Sequence, residues 1–366
     1  MTFADVLEIK NGRNQRAVEE PNGKYPIYGS GGIMGYANDY ICDAETVIIG
    51  RKGNINKPIF VEEPFWNVDT AFGLAAKRDL LLPKYLYYFC LRYDFEKHNK
   101  TVTIPSLTKA DLLNINIELP SIEVQQSAID TLQKIEVVMN LRQQQLSALD
   151  DLIKARFVEM FGDLADPACV WQTCRLVDSC GSNDDIKCGP FGTQLSKDEY
   201  QSNGVPVWEI PQINSAFAIP PEHFLTEAKA KELQAYTLTP GDIVMSRKGN
   251  VGKCALFPED KESGVLHSDV LRIRVSVTKA NPCFMMYQLH YSRDVIRQIE
   301  QVSSGAIMAG VNVTKLKEIL VKLPPLGLQE QFAAFVAQID KSKSVIQKSL
   351  DETQLLFDSL MQQYFG

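Results

Sequence analysis

Shifted by 204 residues, the chain repeats a long stretch of itself. LPSIEVQQSAIDTLQKI begins at Leu119 and LPPLGLQEQFAAFVAQI at Leu323. The same shift pairs Leu146 with Leu350, Leu152 with Leu356 and Phe161-Gly162 with Phe365-Gly366. One constant shift means two copies without gaps, the mark of a duplicated unit. In the first copy Leu132, Met139, Leu146, Ile153 and Met160 recur every seven residues, with Ala128, Ile135 and Leu149 beside them. In the second, Phe332, Ile339, Ile346 and Leu360 form one column, and Val336, Leu350, Phe357 and Tyr364 the other. This spacing predicts two long helices that meet along a coiled-coil-like seam. About 40 helical residues make a rod of about 60 Å, too long to be buried in one small domain. Each run closes on Phe-Gly, a helix stop.

The segments ahead of the two helices differ in kind. They are built of short β-type runs broken by Gly, Asn and Pro: YPIYGSGGIMGYANDYI, TVIIG and FWNVDTAFGLAAK in the first, KCGPFGTQL, VPVWEIPQIN, GDIVMSRKGNVGKCALF and VLRIRVSV in the second. Such runs predict irregular, mostly β domains with a few helices. YLYYFCLRYDFEKHNK (from Tyr85) and CFMMYQLHYSRDVIRQIEQV (from Cys283) read as a matching helix in each, followed by a polar turn and a lysine, Lys109 and Lys315. The expected fold class is α+β, with two globular mixed α/β domains alternating with two long helices. The expected boundaries are 1–118, 119–163, 164–322 and 323–366. Two copies related as in a symmetric dimer would set the helices antiparallel.

Composition restricts the chemistry more than it reveals it. At 366 residues, 45% hydrophobic and 23% charged, the chain is sized for more than one core. No apolar run is long enough to span a bilayer. MTFADVLEIKNGRNQ lacks a basic segment followed by an apolar one, so a cytoplasmic protein with no membrane partner is expected. The net charge is −7, with balances of −1 and −1 in the two globular segments and −3 and −2 in the helical ones. Nucleic-acid binding by the nearly neutral segments is allowed but not demonstrated by charge. Cys169, Cys174, Cys180 and Cys188 lack the paired CxxC spacing of a zinc site and read as reduced packing residues, with no metal expected. There is no GxSxG or HExxH, and the four histidines are scattered. GNVGKC fails as a phosphate loop because Arg247 stands where the first glycine belongs and Cys254 where Ser/Thr would hold Mg²⁺. NPCF at Asn281 is not the Asn-Pro-Pro-aromatic motif of an amino-methyltransferase. No catalytic residues are assigned.

What remains is binding. RKGN occurs twice after a short apolar run, at Arg51–Asn54 and Arg247–Asn250. Arginine can contact guanine in bidentate fashion, lysine can hold phosphate, and Asn54 and Asn250 could read adenine edges. The alternative is a fold-determining turn whose lysine and arginine are merely solvated. An element shared by two otherwise different heads suits positioning better than sequence choice.

The whole chain resembles the specificity subunit of a type I DNA restriction–modification system. YPIYGSGGIMGY and KCGPFGTQLSKDEYQSNGVPV resemble motifs of two classes of its target-recognition domains, and the paired LPSIEVQQ and LPPLGLQEQ helices its central and distal helical regions. The resemblance implies double-stranded DNA as ligand, one half-site per globular domain, and the helices as a ruler for the spacer. It implies two copies of an adenine methyltransferase as partners, using S-adenosylmethionine, and a restriction/translocase subunit using ATP and Mg. No cofactor is expected on this chain. The implied DNA-binding candidates are Tyr28, Ser30, Arg51, Lys52, Asn54, Lys57 and Lys109 in the first domain. In the second they are Gln194, Arg247, Lys248, Asn250, Lys253, Ser303, Ser304 and Lys315. The rival expectation is a two-headed coiled-coil scaffold that binds no DNA.

Overall fold

The β-branched and aromatic runs ahead of each long helix form short strands, and most of their glycines and prolines fall in the connections between them. The computed structural model describes residues 1–99, 104–249, 251–303 and 310–366. Helix α1 (Phe3–Val6) leads into β1 (Leu7–Asn11), β2 (Tyr25–Gly29), β3 (Gly32–Ala37), β4 (Thr46–Gly50), β5 (Ile59–Val61), β6 (Trp66–Asn67) and β7 (Ala71–Ala76). One antiparallel sheet has the order β1-β7-β4-β5, with β5 at its edge. In a second sheet β2 lies between antiparallel β3 and parallel β6. Helices α2 (Pro83–Arg92) and α3 (Lys109–Leu113) come next, and then the 40-residue α4 (Ile122–Phe161).

The next segment carries β8 (Gln172–Arg175), β9 (Ile186–Cys188), β10 (Val205–Trp208), α5 (Ile210–Asn214), β11 (Phe224–Leu225), α6 (Glu227–Glu232), β12 (Ile243–Ser246), β13 (Cys254–Leu256), β14 (Val265–Leu266) and β15 (Val270–Ile273). Then come α7 (Pro282–Tyr291), α8 (Arg293–Val302), α9 (Val313–Lys317), β16 (Leu320–Leu323) and the 40-residue α10 (Leu326–Phe365). Its sheets repeat the earlier ones. The order β9-β15-β12-β13 is antiparallel throughout, with β13 at the edge, and β10 lies between antiparallel β11 and parallel β14. β8 and β16 add an antiparallel pair. The mixed α+β class expected from the sequence is the class observed.

By its contacts the chain divides into two units, residues 1–145 with 346–366, and residues 146–345. In the first, α4 sets Ala128, Ile129 and Leu132 and α10 sets Met361 into a core with Phe3, Leu74, Tyr88 and Phe95. In the second, Ile153, Phe157 and Phe161 of α4 pack with Phe284 of α7 and with Phe332 and Val336 of α10. The long helices run antiparallel within each unit. In the first, the Arg142 guanidinium meets the Ser349 carbonyl and the Thr353 hydroxyl, while Leu132 and Met361 share a core. In the second, Lys343 pairs with Asp150 at 2.6 Å and Phe332 meets Phe157 at 5.3 Å. Of the seam residues, Leu132, Leu146, Ile153 and Phe332 are buried; Met139, Ile339, Ile346, Leu350 and Phe357 are half-buried. Both Phe-Gly stops end a helix at the residue before glycine. Gly162 takes φ +74°, and its N–H donates to the Val158 carbonyl at 2.8 Å.

The LP…Q signature has a structural reason. Gln125 is fully buried: its Oε1 accepts from the Leu82 N–H at 2.9 Å, and its Nε2 donates to the Leu80 and Pro120 carbonyls at 2.9 and 3.0 Å. Gln329, at the equivalent position of the second copy, accepts from the Asn281 N–H at 2.9 Å and donates to the Pro324 carbonyl at 2.6 Å. Leu82 and Asn281 are the N-caps of α2 and α7. Each glutamine therefore ties the start of a long helix to the start of a short one, and satisfies polar groups that are costly to bury unpaired. The Asn281 side chain itself caps α7, accepting from the Cys283 and Phe284 N–H groups.

All eight cysteines are free. Burial pushes the thiols of Cys42 and Cys254 up to about 12 and that of Cys180 up to about 11, and raises that of Cys90 as well. These are inert packing groups. Among the described residues, no helix is long and apolar enough to cross a membrane.

Candidate nucleic-acid interface

Arg51–Gly53 and Arg247–Gly249, the described part common to the two RKGN segments, take the same backbone course. Each begins where an inner strand of a four-stranded sheet ends, β4 at Gly50 and β12 at Ser246. The Arg51 N–H donates to the Thr70 carbonyl at 2.8 Å, and the Arg51 carbonyl accepts from the Leu107 N–H at 2.9 Å. The Arg247 N–H donates to the Asp269 carbonyl at 2.9 Å, and its carbonyl accepts from the Val311 N–H at 3.0 Å. Ile55 and Val251 close the turns by donating to the Gly53 and Gly249 carbonyls, both at 2.9 Å. Gly53 and Gly249 have φ of +80° and +70°, which explains glycine at the third position of both copies.

The side chains of the two turns diverge. Arg51, Lys52 and Asn54 are exposed, with the Arg51 guanidinium 5.7 Å from the Phe72 ring centroid. Ser30, in the β2–β3 connection, donates to the Lys52 carbonyl at 3.3 Å, so the glycine-rich loop and the basic turn share one surface. Close approach is possible because Gly50 has no side chain: a Cβ there would meet the Asn54 carbonyl oxygen at 2.3 Å and the Ser30 Cβ at 3.0 Å. In the second unit Arg247 and Lys248 are half-buried. Arg247 lies 5.0 Å from the exposed Phe191 ring and donates from Nε to the Val311 carbonyl, and Lys248 is paired with Asp269 at 2.6 Å.

The other sequence candidates lie in varied settings. Lys57 is exposed. Tyr28 is half-buried with its ring edge-on to Phe65, and burial raises its phenol. Lys109 donates to the Ile9 carbonyl at 2.7 Å, tying α3 to β1. Gln194 is exposed and accepts from the Tyr236 hydroxyl at 3.1 Å. Lys253 is half-buried, and Lys315 is exposed on α9. Ser303 is buried with its hydroxyl donating to the Ile299 carbonyl, so that hydroxyl is turned inward. Asn250 and Ser304 lie outside the described residues. The lysines after the two polar turns are not equivalent. α3 is capped by Thr108, which accepts from the Asp111 N–H, and α9 by Asn312, which accepts from the Lys315 N–H. The shift of 204 thus carries Asp111, not Lys109, onto Lys315.

Sequence reasoning missed a polar chain that extends from Lys248. Asp269, its partner, lies 3.9 Å from His267 Nδ1, and His267 Nε2 lies 3.8 Å from Glu209. The other Glu209 oxygen meets His223 Nδ1 at 2.6 Å, and Tyr200 stacks on the His223 ring at 4.7 Å. The Asp269 N–H donates to His267 Nδ1 at 3.2 Å, which leaves the Nε2 proton of the neutral ring facing Glu209. These residues are scattered along the sequence, and the pairing of β10 with β11 and β14 and of β12 with β15 brings them together. Carboxylate and imidazole edges of this kind can accept from or donate to base edges. Among the described residues, no first-unit candidate belongs to a comparable chain of contacts, and no group of three or more His, Cys, Asp or Glu is arranged to hold a metal.

Comparison with known proteins adds the family. The model of the type I restriction modification DNA specificity domain matches residues 1–150 and 182–353. A putative type I restriction enzyme MjaX specificity subunit of Methanocaldococcus jannaschii is 27% identical over 169 residues, 44% of this chain and 39% of that protein. A putative type I restriction enzyme specificity subunit of Haemophilus influenzae is 21% identical over 344 residues, 90% of this chain and 83% of that protein. A putative type I specificity subunit of Mycoplasma pneumoniae is matched over 47% of its length, so this chain aligns with less than half of two of these relatives. The fold is shared with the crystal structure of a type I restriction–modification system S subunit from M. genitalium. The TM-score is 0.63 at 16% identity, covering 100% of this chain and 95% of that one.

Proposed function

Because the chain belongs to the type I restriction–modification DNA specificity family, we propose that it reads a bipartite, asymmetric DNA target and positions an adenine methyltransferase and a restriction subunit on it. Residues 1–118 and 164–322 act as two target-recognition domains, and the long helices in 119–163 and 323–366 set the spacer between half-sites. One observation carries the reading: the same pair of sheets and the same Arg-Lys-Gly backbone course after an inner strand are built twice in one chain, with different side chains around them. A shared turn suits backbone positioning, and the residues that differ suit base readout. The first unit offers exposed Arg51, Lys52 and Asn54; the second offers Phe191, Gln194 and the Glu209–His223 pair.

The chain performs no chemistry of its own in this reading. S-adenosylmethionine belongs to the methyltransferase, of which two copies bind, and ATP and Mg to the restriction subunit. The methyltransferase has to extrude its adenine from the duplex, so the specificity chain's task is registration. Base-resolution mapping of methyladenine on a plasmid tests the reading, comparing cells that express the methyltransferase with and without this chain. The expected result is a split motif of two unequal half-sites that depends on the chain. An unmodified plasmid beside a folded, expressed methyltransferase would contradict it.

A further inference from the structure

The two heads place opposite chemistry at one equivalent position beside the basic turn. Strand β2 pairs with β6 through Tyr28 and Asn67, and β10 pairs with β14 through Trp208 and Leu266. One step on, the Val68 N–H donates to the Tyr28 carbonyl and the His267 N–H to the Trp208 carbonyl, both at 3.0 Å. The residues that follow the two aromatic positions, Gly29 and Glu209, are therefore counterparts, and so are Val68 and His267. The glycine is covered from elsewhere. β3 bulges between its pairs Ile33–Tyr28 and Gly35–Ile27, which leaves Met34 as the unpaired residue. A Cβ on Gly29 would meet the Met34 sulfur at 2.6 Å, so the thioether lies over that backbone. Met34 is nonetheless 59% exposed, and Ile33 beside it 54%. In the second head the same place holds the Glu209 carboxylate, with His223 Nδ1 at 2.6 Å from one oxygen and His267 Nε2 at 3.8 Å from the other. Each position is tied to its basic turn, the first through Ser30 and the Lys52 carbonyl, the second through His267, Asp269 and Lys248.

We propose that this position reads a base in both heads, with Met34 contacting a thymine 5-methyl group in the first half-site and Glu209 accepting from a cytosine amino group in the second. This rests on the reading of the chain as a specificity subunit, in which the basic turns set the duplex against this surface. Chemistry chooses the bases. An exposed thioether is a poor hydrogen-bonding group and discriminates by apolar contact, and the apolar group on the major-groove edges is the thymine methyl. A carboxylate only accepts, and it faces a polyanion, so it gains on DNA only where it meets a donor. The major groove offers amino donors on adenine and cytosine. That of adenine is flanked by acceptors on both sides, its own N7 and the thymine O4. That of cytosine has an acceptor, guanine O6, on one side only. Glu209 therefore selects cytosine. The two histidines fix the carboxylate's orientation, and its oxygens keep lone pairs for a further donor.

The test is binding of the full-length chain, assembled with the methyltransferase subunit of the same system, to duplexes carrying the mapped methylation motif. Deoxyuridine in place of each thymine of the first half-site removes only the methyl group. N4-methylcytosine in place of each cytosine of the second replaces the groove-facing N–H and keeps the base pair. The expected result is one sensitive position per half-site, with affinity falling about fourfold for the lost methyl and about tenfold for the lost amino hydrogen. Met34→Ala should abolish the deoxyuridine penalty. Glu209→Gln should move the preferred base at the sensitive position from cytosine to adenine, because an amide accepts from adenine N6 and donates to N7. Both analogue measurements use the unsubstituted chain, so they decide the assignment whatever the stability of the variants. A half-site indifferent to its analogue, a deoxyuridine penalty kept by Met34→Ala, or a cytosine preference kept by Glu209→Gln overturns the assignment and leaves the specificity reading standing. A complex that binds the motif no better than unrelated duplex overturns that reading and the proposal with it.

Discussion

The two heads share a skeleton and part company after one strand. YPIYG (β2) and VPVW (β10) occupy the same place, each between an antiparallel and a parallel neighbour. After β2 the chain turns back at once through Ser30 and Gly31, with Gly32 at φ +120°, into β3. After β10 it enters α5, and the antiparallel neighbour β11 arrives only at Phe224. The shift relating the copies grows accordingly. It is 180 at the prolines Pro26 and Pro206, 196 at the RKGN turns, 199 at α2 and α7, and 204 from Leu107 and Val311 through the long helices. Insertions fall where backbone can loop out. None falls where an added residue would turn a helix face by about 100° away from its core.

This contrast can be broken most strongly at the buried glutamines. Gln125 makes three hydrogen bonds and Gln329 two. Gln125→Ala should therefore cost about 3 kcal/mol and Gln329→Ala about 2, with amide exchange accelerated mainly in the substituted unit. Equal losses spread over both units would mean that the glutamines do not act locally.

Next in size is the basic turn. Among the described residues Lys52 pairs with no carboxylate, whereas Lys248 is held by Asp269. Lys52→Ala should weaken target binding about tenfold and lower the salt slope by about 1. Lys248→Ala should leave that slope nearly unchanged and alter preference in the second half-site through Asp269 and His267. Fluorescence anisotropy at several salt concentrations separates the two.

Smaller and symmetrical effects are expected at Gly53 and Gly249. Nothing lies within 4 Å of a Cβ at either glycine. Alanine should therefore cost only the left-handed backbone penalty, about 1 kcal/mol at each, measurable by urea unfolding. Unequal costs would show that the two turns are not one element.

The weakest effect is pH-dependent. Burial holds the Asp340 carboxyl above its ordinary value, so the folded chain binds that proton more tightly than the unfolded chain. The carboxylate therefore destabilises the fold above the carboxylate range and is neutral below it. Asp340→Asn should raise the melting temperature at neutral pH, with the gain vanishing as pH falls through that range.

What the sequence revealed divides along the same physical line. The long helices were legible because a seven-residue apolar period and a Phe-Gly stop are local signals. TVIIG and IVMS were legible as strands because β-branched runs bounded by turns are local too. The equivalence of YPIYG and VPVW was hidden, since neighbouring sequence gives opposite instructions after each. Lys109 and Lys315 were aligned by residue type although the caps at Thr108 and Asn312 fix a register two residues away. The chain from Lys248 to His223 was invisible because strand pairing alone assembles it.

The buried thiols have a kinetic consequence. Cys42 and Cys90 lie in the first unit, and Cys180 and Cys254 in the second. A thiol raised by burial meets an alkylating reagent chiefly when its surroundings open. The native chain thus carries its own clocks, at least two per unit. A pulse of reagent read by peptide mass would time the opening of each half separately, without a label or a substitution.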